Sequence, residues 1–213
     1  MRYLLLGTPF LILTTLASAA HAQAPQPLPP MVSGQQSPTP ESPVPESADT
    51  TAQAQKPLDK LFEALKREPN AEKARNIAHQ IIAEMNDSGS PTVNLLMQWS
   101  ADAIKKKNNA AALDFLDRVT LIDPDYAEGW NRRATLHYAM GDSRKSMADI
   151  AEVLKREPRH FGALAGMAAI LTEAGDDQLA LKAWERYLDV YPADKDAQEA
   201  VDKLSEKIAG SRT

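Results

Sequence analysis

The chain has 213 residues, with 24 Lys+Arg against 29 Asp+Glu and no Cys. A net charge of −5 excludes the basic footprint that nucleic-acid binding requires. The missing thiols exclude disulfides, thiolate metal sites, a cysteine nucleophile and lipobox acylation, and 4 His leave little material for a metal centre.

Residues 1–22 read as a secretory leader. Arg2 gives a weak positive start, Leu4 to Ala17 form the apolar run, and Ala20-His21-Ala22 supplies a small-x-small cleavage site. The run is shorter than the ~20 residues of a membrane span and ends in small residues, which favours a cleaved leader over a retained anchor. Cleavage after Ala22 and export to the periplasm are expected.

From Gln23 to Pro57 stand nine of the 15 prolines (Pro25, Pro27, Pro29, Pro30, Pro38, Pro40, Pro43, Pro45 and Pro57), among Ser, Thr, Gln, Ala and Glu. Proline removes donors and the stretch has little apolar surface, so a disordered, partly polyproline-II tether is expected over 23–57. Without a basic flank or a clean repeat it reads as a spacer in preference to a docking motif.

From Leu58 the apolar spacing becomes helical. Phe62 and Leu65 open a short helix over 58–67, which Pro69 stops, and Asn70 caps a longer one over 71–86. Three regular helix pairs follow from Pro91 to Pro192. Pro124, Pro158 and Pro192 lie 34 residues apart and share a register: Ala112, Ser146, Ala180; Leu116, Ile150, Trp184; Val119, Val153, Tyr187. One period earlier stand Ala78, Ile82, Met85 and Ser90, a fourth copy with Ser in place of Pro. Steps of four and three put each set on one helical stripe.

The first halves agree in the same way: Leu96, Trp99, Ser100; Trp130, Arg133, Ala134; Leu164, Met167, Ala168. In the first copy Lys66 takes the place of the small residue. The turns inside each unit are Lys107-Asn108, Gly141-Asp142 and Gly175-Asp176, where Gly ends one helix and the next residue caps another. A last helix, Lys195 to Ala209, carries Ala197, Val201, Leu204 and Ile208 on one stripe, as a cap on the end of a repeat array must.

These columns resemble the tetratricopeptide repeat (TPR), W-x2-L-G-x2-Y…A-x3-F…P over 34 residues, best over Tyr126-Ala-Glu-Gly-Trp130 to Pro158. Arg133, His137, Ala103 and Tyr187 depart from that pattern. The resemblance implies an all-α, TPR-type α-solenoid of four stacked helix–turn–helix units with a C-terminal capping helix. Its parts are a divergent first pair (58–92), three repeats (93–126, 127–160, 161–194) and a cap with a tail (195–213). It also implies that the first helix of each pair lines a partner-binding groove. By position that groove takes Asn94, Gln98 and Ala101 in the first regular pair, and Asn131, Arg132, Thr135 and Tyr138 in the second. In the third it takes Gly162, Ala165, Gly166, Ala169 and Thr172. The small residues of the third either admit a partner's backbone closely or let adjacent helices pack on a tight inner radius. They offer no cations, unlike the chaperone-binding subtype that clamps a C-terminal carboxylate.

Trp99, Trp130 and Trp184 all fall in framework columns and are expected in the core. His137 is expected buried, or at an edge, and His79 and His160 have no partner at metal-binding spacing. No catalytic elbow, phosphate loop or Ser/His/Asp constellation can be assembled, so no catalytic residue, cofactor or metal is expected. Lys105 to Lys107 sit at a helix end, where the dipole accounts for them. Gly162-x3-Gly166 mimics a membrane dimer motif within a soluble repeat.

The function expected is a non-enzymatic periplasmic scaffold that binds one or more envelope proteins through the groove. The alternative is an accessory regulatory subunit of a peptidoglycan or polysaccharide synthesis or export system. Ser88 to Met97 and Pro158 to Leu164 resemble stretches of exported TPR proteins of alphaproteobacteria, which implies a role in envelope integrity or envelope-complex assembly.

Overall fold

The computed structural model describes residues 48–210, with side chains from Pro57 onward, so the expected leader and residues 23–47 of the tether lie outside the described residues. The described chain is helical: α1 (Ala48–Arg67), α2 (Ala71–Met85), α3 (Pro91–Lys105), α4 (Asn109–Ile122), α5 (Ala127–Ala139), α6 (Ser143–Arg156), α7 (Phe161–Glu173), α8 (Asp177–Val190) and α9 (Lys195–Gly210). Helix α1 starts within the stretch expected to be tether. Residues 48–56 hold no proline and several good helix formers, and Pro57 is taken into the helix.

The helix ends follow from local chemistry. Asn70 Oδ1 accepts from the backbone N–H of Glu72 at 3.1 Å and of Lys73 at 3.0 Å, capping α2. Asn108 caps α4 through Ala111 N–H at 3.2 Å, and Asp142 caps α6 through Lys145 N–H at 3.0 Å. Asp176, expected to do the same for α8, makes no side-chain cap. Gly141 and Gly175 take the left-handed turn at φ 80° and 76°, and Lys107 is forced into the same conformation at φ 58°. That strain, on the order of 1 kcal/mol for an L residue, sits in the basic run 105–107.

Pairs α3–α4, α5–α6 and α7–α8 form the regular array. The small columns Ser100, Ala134, Ala168 and Ala112, Ser146, Ala180 are at most 2% exposed, which lets paired helices approach closely. Pair stacks on pair tightly: a Cβ on Gly129 at the start of α5 would lie 2.6 Å from Val119 Cγ1 of α4. Helix α9 closes the far end, with Ala197 and Leu204 buried.

The first pair does not sit where four stacked copies would put it. Phe62, Leu65, Ala74, Ala78 and Ile81 share a core with Phe161 and Leu164 of α7, Tyr187 of α8, Tyr191 and Ala193 of the α8–α9 link, and Ala197 of α9. The core of α3 and α4 contains no residue of α1 or α2. The α1–α2 hairpin lies instead along the turns that link successive pairs. Arg159 Nη2 pairs with Asp59 at 2.8 Å, and its guanidinium lies 4.3 Å from the centre of the Phe62 ring. Lys66 supplies one reason. A long cation at the position of Ser100, Ala134 and Ala168 denies α1 and α2 the close crossing of the regular pairs, and so the shape that the stack repeats.

The displaced hairpin changes the fate of Trp99. Trp130 and Trp184 pack partly buried against core clusters, but Trp99, expected inside, is 45% exposed. No preceding pair covers it.

Candidate functional site

The candidate groove residues stand on α3, α5 and α7, and their surroundings divide them into two groups. The first group is already engaged within the chain. Asn94 accepts from Ser88 N–H at 3.0 Å and Ser88 Oγ at 2.8 Å and donates to Asp87 at 2.7 Å, so it folds the α2–α3 link. Asn131 Nδ2 donates to Glu128 at 2.9 Å. Arg132 donates to Asn86 Oδ1 at 2.8 Å, at the end of α2, and lies 3.4 Å from Glu128. Ala165 packs partly buried against the core that the hairpin shares.

The second group is open to a ligand. Gln98, Thr135, Gly162 and Thr172 are exposed, and Ala101, Gly166 and Ala169 are half-buried. The hydroxyls of Thr135 and Thr172 donate only to carbonyls of their own helices, Asn131 at 3.0 Å and Ala168 at 2.8 Å. Tyr138 packs partly buried against the cluster that includes Ile150, and its hydroxyl donates to Glu173 on α7. The ring is thereby tied to the C-terminal end of α7, the helix that carries Gly162, Gly166 and Ala169.

Glu128, which sequence reasoning passed over, organises the start of the face. Its carboxylate lies 3.2 Å from His160 Nε2, and His160 Nδ1 accepts from Ala163 N–H at 3.1 Å to cap α7. With Nδ1 accepting, the ring proton is on Nε2 and is donated to Glu128. One buried imidazole thus ties the first turn of α5 to that of α7. Nearby, Tyr126 donates to the Asn86 carbonyl at 2.9 Å, so Arg132 and Tyr126 together hold the end of the hairpin. The signals were present in sequence: Glu128 and Arg132 are spaced i,i+4, and His160 precedes α7 as a cap residue does.

Burial alone would raise the Glu128 carboxyl, but the hydrogen bond from His160, the Arg132 charge and the hydrogen bond from Asn131 outweigh it and hold it below the ordinary 4.5. A depressed carboxylate contributes stability that is present above its unfolded value and is lost as pH falls through the folded one. Acidification below about pH 4.5 is therefore expected to loosen the α5–α7 link. Glu128→Gln should flatten the acid limb of a plot of urea midpoint against pH, and an unchanged limb would remove Glu128 as a cause.

Among the described residues, no group of three or more His, Asp or Glu could hold a metal ion, and no helix is long and apolar enough to cross a membrane. Among the described residues no buried side-chain polar atom lacks a hydrogen-bond partner, and the buried Ser100 and Thr120 hydroxyls donate to main-chain carbonyls of their own helices.

A stack of two-helix units with small residues at the crossings and a helix closing one end is an α-solenoid repeat, a class whose faces bind. A TPR repeat-containing protein of Rhizobium etli is 60% identical over 168 residues, covering 79% of this chain and 82% of the relative. The chain belongs to the tetratricopeptide-repeat protein family. Two solved structures share the fold. The first TPR of Spaghetti (RPAP3) bound to the HSP90 peptide SRMEEVD has a TM-score of 0.52 at 18% identity, covering 56% of this chain and 95% of that one. The Sgt2 TPR domain from Aspergillus fumigatus has a TM-score of 0.52 at 18% identity, covering 58% and 83%. No protein-family profile matches the chain.

Proposed function

We propose that the chain is a non-enzymatic scaffold of the periplasm, which holds a segment of an envelope protein on the strip between α5 and α7. The observation that carries this reading is Tyr138, tied by its hydroxyl to Glu173 on α7, the helix whose residues Gly162, Gly166 and Ala169 are small and not buried. A preorganised ring offers contact area at little ordering cost, and a floor without long side chains admits a peptide backbone. The bound peptide of the Spaghetti structure is a precedent for ligands on this fold. A carboxylate clamp is disfavoured, because Arg132 is engaged by Asn86 and Glu128 and α7 offers no cation. The ligand is therefore an internal stretch, extended or helical, with an apolar residue set against Tyr138. Export follows from the leader, and the envelope role from the stretches that resemble exported relatives.

A photo-reactive residue at Thr172, in living cells, tests the reading. The expected result is an adduct with an envelope protein, reduced about tenfold by Gly166→Leu, a loss of about 1.4 kcal/mol in binding. A Cβ at that position would meet only Ile150 Cδ1 at 3.5 Å, an ordinary contact, and an unchanged circular dichroism spectrum of the variant is the control that the filled floor leaves the fold in place. An adduct indifferent to the filled floor, or a chain recovered from the cytosol with its first 22 residues intact, would defeat the proposal.

A further inference from the structure

In the second pair the seventh repeat position is Arg133, whose Nη1 reaches back to Asp117 at 2.7 Å and Thr120 at 3.0 Å on the preceding α4. In the third it is Met167, packed against the cluster that Ala134, Ile150 and Val153 of the preceding pair build with Ala163 and Ile170 of α7. This position therefore marks the face on which one pair stacks upon the last. In the first regular pair it is Trp99, which no other pair among the described residues covers. Trp99 leans on Phe115 with ring centroids 5.7 Å apart. Beside them Leu95 is 43% exposed and Ile122 is 55% exposed.

We infer that this face binds a second copy of the chain about a two-fold axis, α3–α4 against α3–α4. Its chemistry continues an interface the array already uses twice. A head-to-tail copy cannot fill it, because the complementary far end is closed by α9, so a self-pairing surface must be isologous. Charge agrees. Along α4 the exposed residues Asp114, Arg118 and Ile122 flank the half-buried Phe115, and neither Asp114 nor Arg118 makes an ion pair among the described residues. Two α4 helices crossing antiparallel beside Phe115 place Asp114 of one copy against Arg118 of the other, twice over. Size agrees as well. Two adjacent helices of 14 and 15 residues offer a face about 20 Å long and 20 Å wide, small for a permanent dimer and in keeping with one that dissociates on dilution. A Trp–Phe centre with a charged rim is the usual anatomy of such a contact.

The test is the oligomeric state of the intact chain, as the cell processes it, by sedimentation equilibrium. A dimer that dissociates on dilution is expected, with Trp99→Glu and Leu95→Asp each weakening it about 100-fold. Both side chains are half exposed, so circular dichroism should stay at its wild-type value. Arg118→Asp alone should also weaken the dimer, and adding Asp114→Arg should restore it by exchanging the two signs. A wild-type chain that stays monomeric at roughly 200 µM, far above the micromolar affinities of weak homodimers, overturns the inference. So does a dimer untouched by the Trp99 and Leu95 changes, or charge reversals that fail to compensate. A monomer in which Trp99 fluorescence is shielded only after a foreign protein is added overturns it too.

Discussion

Asp149→Ala is expected to destabilise the protein by about 3 kcal/mol, and Arg133→Leu with Asp149→Ala to recover most of that loss. Arg133 stands where the repeat usually has Leu, at the centre of α5 and facing α6. Its guanidinium meets Asp149 as a fork, Nε to Oδ2 at 2.9 Å and Nη2 to Oδ1 at 2.7 Å, with the Asp149 side chain 8% exposed. The hydrogen bonds that Arg133 donates to Asp149 are the main reason its guanidinium is held above the ordinary arginine range. Trp130 is flanked by two cations, with the Arg133 and Arg156 guanidinium carbons each 4.7 Å from its ring centre.

Deleting the carboxylate strands the guanidinium between helices, and that uncompensated charge is what makes a broken buried pair cost about 3–5 kcal/mol. The lower end applies here, because Asp117 remains at 2.7 Å and is mostly exposed. An isostructural Leu removes the stranded charge, which makes the double variant the decisive control. At roughly 2–4 °C per kcal/mol for a chain of this size, the single variant should melt about 6–12 °C lower. A fall in the urea midpoint of the double variant as large as that of the single one would mean that the pair contributes by packing and not by charge.

The register of the array was legible because it rests on column chemistry. Small residues at crossings, apolar residues every three or four, and left-handed turn residues recur every 34 positions and survive single departures such as Lys107. Partners across space were not legible. Arg133 stood out as a departure, but nothing in a 34-residue period points from it to Asp149 on the facing helix. The destination of α1–α2 was hidden for a related reason. Its apolar columns fit the repeat, so sequence placed it first in the stack, and only Lys66 and Pro69 spoke against that place. Arg132 and Ala165 then lost their expected freedom to the hairpin, and Trp99 gained an exposure that its column denied. Position within a repeat predicts which face a side chain occupies, not what comes to cover that face.

Removing residues 195–213 is expected to lower the melting temperature by about 5–10 °C and to open the N-terminal hairpin to protease. The first effect belongs to any solenoid, since α9 buries Ala197 and Leu204 and its Lys207 reaches Asp177 at 2.8 Å. The second is particular to this chain. In a one-dimensional array each unit touches only its neighbours, so loss at one end leaves the other end alone. Here Ala197 of α9 shares a buried cluster with Ala74 and Ala78 of α2 and with Tyr187 and Tyr191. Taking α9 away removes one wall of the pocket that receives the hairpin.

Asp194 survives this truncation. Its Oδ2 continues to accept from the Tyr187 hydroxyl at 2.6 Å, so α8 keeps its own end and the damage is confined to what α9 covered. The link 86–90 is the expected cut site, with Gly89 in a left-handed turn at φ 73° and the segment anchored to the array by Asn86 through Tyr126 and Arg132. Limited proteolysis followed by mass spectrometry reads the outcome directly. A truncated chain cut there faster than the intact one, in proportion to its lost stability, ties the first helices to the last. Equal cutting rates alongside a lowered melting point would mean that α7 and α8 hold the hairpin without help.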